Sequence, residues 1–208
     1  MSEERGYSSP QDKFNRYGCY CSPHSIHSGD DTWVGKGDPV DEIDTECRHL
    51  FLAYKCLEKD HGSKCNSSKA YAWEVDNNGD IKCCEYKICF YLIQFHILNF
   101  FSVDKKGSCK GDLCRLDLDF TKALSSLNKF WEPAFHMDNG FDRKSYCSPS
   151  GGGNGGSGYQ KPNNKDPVQT ECCGKSLRRH MFNPARLQCC KDGSTKAIGS
   201  CDDKNNSY

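Results

Sequence analysis

The chain has 208 residues and carries 28 basic and 28 acidic side chains, for a formal charge of zero. That balance argues against a nucleic-acid binder, which needs a basic excess, and gives no strong pull toward anionic membranes. Sixteen cysteines, an even number, read as a disulfide framework made in an oxidising compartment.

The rival reading of the cysteines is a set of zinc sites in an intracellular module. No pair of CxxC knuckles occurs, and the CC doublets at Cys83-Cys84, Cys172-Cys173 and Cys189-Cys190 suit tetrahedral zinc poorly. The opening MSEERGYSSPQ is polar and has no apolar stretch of the kind a signal peptide needs, and this is the one feature that favours the rival. Two sequons, at Asn66 and Asn205, are compatible with secretion.

Residues 1–18 read as a polar lead-in. Residues 19–147 hold eleven cysteines and two helical patterns. The first runs from about Pro39 to Tyr54. Pro39 and Asp41 suit a helix start, and Ile43, Cys47, Leu50, Phe51 and Tyr54 fall on one face. Between the two helices, Tyr71 to Lys82 predicts a β-hairpin with Asn78-Gly79 at its turn. Phe90 to Phe101, FYLIQFHILNFF, is too short to span a bilayer and is interrupted by Gln94, His96 and Asn99. It reads as a buried strand or short core helix, or as an intron carried into the translated sequence. The second helical pattern runs from about Leu113 to Asn128, with Leu113, Leu116, Phe120, Leu124 and Leu127 as its apolar stripe.

Residues 148–167 have the composition of a flexible Gly/Ser/Asn linker. Residues 168–208 form a cysteine-rich C-terminal module with too little apolar surface for a core, so disulfides must supply its stability. It is similar to the CC-repeat modules of secreted and skeletal-matrix proteins of invertebrates.

The order of motifs in 15–147 resembles the secreted phospholipases A2. Tyr17-Gly18-Cys19-Tyr20-Cys21, then Pro39-Val40-Asp41-Glu42-Ile43-Asp44 and Cys47, look like that family's calcium loop and first long helix. Cys109, Cys114 and Arg115-Leu116-Asp117-Leu118-Asp119-Phe120 look like its second. The resemblance implies a mainly α, disulfide-rich fold: two antiparallel helices, a small β-hairpin, a Cys21–Cys47 bridge, and the C-terminal disulfide module appended.

The chemistry of that family needs a histidine on the first helix to take a proton from water. An aspartate on the second helix orients the ring. Calcium is held by loop carbonyls and by an aspartate directly after the histidine. Counting from Cys47, with Ala53 and Tyr54 fixing the register, the histidine position is Leu50 and the aspartate position is Phe51. Neither side chain can shuttle a proton or bind a hard cation. His49 sits one residue early, about 100° around the helix, and is read as a solvated side chain. The calcium loop is degenerate: Tyr20, Ser22 and His24 would be the carbonyl donors, but Pro23 restricts the backbone where the family has glycines. No cofactor is expected, with calcium only if the family activity survives.

Asp117 and Tyr54 match the partners of the missing histidine, and an inter-helix hydrogen bond explains them without catalysis. Two family bridges are lost at both ends together, at Glu46 with Ala123 and at Ala53 with Leu116, so no orphan thiol results. The expectation is a secreted, extracellular phospholipase A2-like protein that has lost catalysis. It would bind lipid, accepting a phospholipid or a fatty acyl chain, or act as an extracellular structural or interaction protein with a matrix or protein partner. The alternative is an active calcium-dependent enzyme that hydrolyses the sn-2 ester of phospholipids.

Overall fold

The computed structural model describes residues 13–21, 35–84, 107–147 and 170–201. Ser22 to Ser25, the apolar run 90–101 and the linker 148–167 lie outside the described residues. The chain divides into two compact units, one of Met1–Phe51 with Leu124–Asp166, the other of Leu52–Ala123 with Pro167–Tyr208. Among the described residues two long helices carry most of the helical content, beside three two-stranded antiparallel sheets, one four-residue helix and short 3-10 turns.

Helix α1 spans Glu42–His61. Asp41 caps it, its Oδ1 accepting the Asp44 N–H at 2.8 Å. Glu42 and Asp44 lie in the first turn, and Lys59 and His61 in the last, the arrangement the helix dipole favours. The helix runs two turns beyond the predicted end at Tyr54. Its apolar stripe continues through Leu57, and the natural stop is Gly62, which takes φ +87°. Strands β1 (Trp73–Val75) and β2 (Ile81–Cys83) form the predicted hairpin. Asp76 Oδ1 accepts the N–H groups of Asn78 at 2.8 Å and Asp80 at 3.0 Å, and Gly79 closes the turn at φ +85°.

Helix α2 spans Cys109–Leu127 and starts four residues before the predicted Leu113. Ser108 provides the cap, its Oγ accepting the Gly111 N–H at 3.2 Å, so the Gly-rich lead that looks like a loop is already helical. Leu113, Leu116 and Leu124 are buried along it. A four-residue helix, α3 (Arg143–Tyr146), precedes Cys147. In the C-terminal module β3 (Glu171–Cys173) pairs with β4 (His180–Phe182), and β5 (Leu187–Cys189) pairs with β6 (Thr195–Ala197).

Seven disulfides link described residues: Cys19–Cys147, Cys21–Cys47, Cys56–Cys172, Cys65–Cys109, Cys83–Cys114, Cys173–Cys189 and Cys190–Cys201. A framework of this density belongs to an oxidising compartment. Among the described residues no helix is long and apolar enough to cross a membrane. Cys56–Cys172 ties the C-terminal module to α1, and Arg179 adds an ion pair to Asp60 on the same helix. Residues 17 and 18, which composition places in the polar lead-in, are built into the first unit, with Tyr17 fully buried.

Candidate functional site

The residues at the sequence-assigned site fall into two groups, one in each unit. In the first unit the loop Tyr17 to Cys21 is fastened to the start of α1 by a single carboxylate. Asp44 is wholly buried and accepts the N–H groups of Cys19 at 2.8 Å, Tyr20 at 2.7 Å and Val40 at 3.1 Å. Gly18 allows this approach: a Cβ built there would lie 2.3 Å from Asp44 Cγ, and its φ is +52°. Burial pushes the Asp44 carboxyl up to about 6, against the lowering effect of the three N–H donors. Arg143, also buried, donates its Nε–H to the Gly18 carbonyl at 2.6 Å, and Tyr20 donates its hydroxyl to the Gly37 carbonyl at 2.7 Å. Tyr17 donates to Asp41 and accepts the Glu132 N–H at 3.3 Å. Cys21–Cys47 and Cys19–Cys147 lock the loop at both ends.

Leu50 is buried on α1, 4% exposed. Phe51 points at the loop. Its ring lies edge-on to Tyr20, centroids 5.9 Å apart, and covers Gly35, where an added Cβ would be 2.8 Å from Phe51 Cζ. Gly35 is held there by its N–H, which donates to the Cys19 carbonyl at 2.9 Å. Gly35 and Gly37, well after Cys21, both take positive φ. A calcium ion takes six to eight oxygen ligands. At position 51 the side chain is an aromatic ring, which supplies no oxygen ligand. Ser22 and His24, the other assigned donors besides Tyr20, lie outside the described residues. His49 is directed to its own helix, with Nδ1 3.5 Å from Glu46 Oε2, and Arg48 lies over the Tyr20 ring at 5.8 Å.

In the second unit Asp117 of α2 receives two phenols. Tyr54 of α1 donates to Oδ1, and Tyr71, just ahead of β1, donates to Oδ2 at 2.6 Å. Cys83–Cys114 makes this meeting local, since it pins the hairpin to α2 three residues before Asp117. Burial raises the Asp117 carboxyl above the ordinary range, against the lowering effect of both phenolic donors. Burial also raises both phenols, with Asp117 adding to the shift. Asp117 thus accepts a hydroxyl proton from each of the two tyrosines.

Tyr71 is the residue that sequence reasoning passed over. Its placement two residues before a hairpin strand made it look like the strand's aromatic lead. The signal that could have found it is a tyrosine upstream of a cysteine able to bridge to α2. Among the described residues no cluster of three or more His, Cys, Asp or Glu side chains is arranged to hold a metal ion.

No protein-family model matches the chain. The residues themselves therefore carry the functional reading.

Proposed function

We propose that this protein is a secreted phospholipase A2-like protein without catalysis, whose helices α1 and α2 are the antiparallel pair of that fold. It serves outside the cell as a structural or interaction protein. One observation supports this most: the Phe51 ring packs on Gly35 and Tyr20, filling with carbon the position where a calcium carboxylate would be needed. Leu50, buried one residue earlier, has no titratable atom with which to draw a proton from water. His49 is paired with Glu46, which favours a local role on α1 over recruitment as a base. The burial of Leu50 and the packing of Phe51 favour a filled groove over an open one, and hence protein interaction over capture of an acyl chain.

Calcium binding tests the reading. Isothermal titration of the intact protein with calcium chloride is expected to show no saturable heat up to millimolar calcium. Saturable binding in or below that range would overturn the proposal, because it would require a ligand set that Phe51 does not supply.

A further inference from the structure

Two successive turns follow the end of α1. In the first, the Cys65 N–H donates to the Gly62 carbonyl at 2.9 Å; in the second, the Lys69 N–H donates to the Asn66 carbonyl at 3.0 Å. The Cys65–Cys109 disulfide and the hydrogen bond of His61 with Asp112, 2.9 Å from Nε2 to Oδ2, hold these turns beside the start of α2. The second turn is Asn66-Ser67-Ser68-Lys69. Its first three residues are a sequon, the Asn-X-Ser pattern in which the asparagine accepts a glycan. The chain's other sequon, at Asn205, lies outside the described residues.

The three side chains of the sequon differ in their surroundings. Ser67 Oγ is buried and has no hydrogen-bond partner among the described residues. Asn66 and Ser68 bond to each other at the surface: Asn66 Oδ1 accepts the Ser68 N–H at 3.2 Å and the Ser68 hydroxyl at 2.6 Å. This is an Asx turn. Among the described residues the Asn66 Nδ2 meets only the Ser63 carbonyl, 3.5 Å away and beyond the usual range of an N–H···O bond. Space is open nearby, since a Cβ built on Gly62 would meet nothing within 4 Å. The contacts within the two turns all span three residues or fewer, so the turns can form on a growing chain before α2 has been made.

We infer, on the reading that the protein is secreted, that Asn66 carries an N-linked glycan. The donor is an oligosaccharide joined to a lipid diphosphate, met in the same compartment that forms the disulfides. Asn66 Nδ2 attacks C1 of the first sugar. A C1–N bond forms and the C1–O bond breaks. The lipid diphosphate leaves with that electron pair, and the Nδ2 proton passes to a base of the transferase. Two protons directed at Oδ1 draw electron density toward the amide oxygen, so the Nδ2 proton is easier to give up during the attack. Asn183 makes a similar turn, its Oδ1 accepting the Ala185 N–H at 2.9 Å. Pro184 and Ala185 follow it, so the hydroxyl is missing and the pattern is broken. Asn183 is therefore the internal control: a turn of the same kind without the chemistry.

The test expresses the full chain in a human cell line behind an added signal peptide. N-glycans are released by peptide N-glycosidase in heavy-oxygen water, which turns each occupied asparagine into a labelled aspartate, and the peptides are mapped by mass spectrometry. Asn66 should carry the label in most molecules and Asn183 should not. Ser68→Ala keeps the backbone N–H, removes the hydroxyl and should abolish the label at Asn66, whereas Ser68→Thr restores a hydroxyl and should keep it. Secreted and cell-retained chains are both mapped, so a variant that folds poorly is still scored. Non-reducing mass spectrometry reads the disulfides separately. An unlabelled Asn66 in the disulfide-bonded chain would overturn the glycan and leave the secreted reading standing; free thiols throughout would overturn that reading and the inference with it. A label at Asn66 that survives Ser68→Ala, or equal labelling of Asn183, would also overturn the inference.

Discussion

Asp44 shows how one side chain can set both the shape and the pH response of the loop it holds. Its carboxylate satisfies three backbone N–H groups at once, yet burial pushes its pKa from 3.8 up to about 6. An acid whose folded pKa is raised binds its proton more tightly in the folded state. Its contribution is therefore fully present below about pH 4 and is lost as pH rises through about 6, by roughly 3 kcal/mol for a shift of this size. Carbon-detected NMR of the Asp44 carboxyl should give a midpoint near 6, and a midpoint at or below 4 would contradict the assignment. Asp117 shares the direction of shift but is held by hydroxyls. Tyr54→Phe or Tyr71→Phe removes one donor from a half-buried carboxylate, and each should cost about 1–3 kcal/mol in urea denaturation. The double variant should raise the Asp117 pKa further, because the lowering effect of both phenols goes with them. An unchanged Asp117 titration in the double variant would show that the phenols do not act on it.

The helices were legible in the sequence where apolar period and capping agreed, and less so where they did not. The start of α1 could be read because Asp41, Glu42 and Asp44 give both a cap and a favourable charge order. Its end could not be read from apolar period alone, since Lys55, Glu58, Lys59 and Asp60 surround the continuing stripe at Leu57. Gly62 was the better signal. The start of α2 was hidden by Gly111, a poor helix former whose cost is offset by the Ser108 cap and by the Cys65–Cys109 bridge. Hairpin β1–β2 was legible from Asn78-Gly79, whereas the contact of Phe51 with Gly35 spans sequence that carries no spacing rule. Disulfide partners such as Cys56 and Cys172 cannot be paired from a list of cysteines. That bridge closes a long loop, 116 residues in sequence, onto α1. Changing both cysteines to serine should cost about 2–4 kcal/mol in guanidinium denaturation, less than a lone loop of this length would give because other bridges already restrict the chain. A loss below about 0.5 kcal/mol would mean that the module is held without it.

Across the whole chain, the cysteine count was enough to indicate a disulfide-stapled protein, and seven disulfides join described residues. The unit boundaries fall within α1 and α2: the locked loop with Leu50 and Phe51 belongs to one unit, and Tyr54, Tyr71 and Asp117 to the other. On the proposed phospholipase A2-like reading, the groups that would position a reaction are retained, while those that would move a proton or grip a cation are replaced by the aliphatic Leu50 and the aromatic Phe51. Retention of positioning groups without reacting groups is what a scaffold kept for interaction would show. The most direct measurement is hydrolysis of phosphatidylcholine vesicles by the purified, disulfide-intact protein, with calcium and with chelator. The account predicts fatty-acid release indistinguishable from the protein-free rate in both, since loss of general acid–base catalysis alone removes about 10² to 10⁴ in rate. Calcium-dependent release that rises in proportion to protein concentration would contradict it.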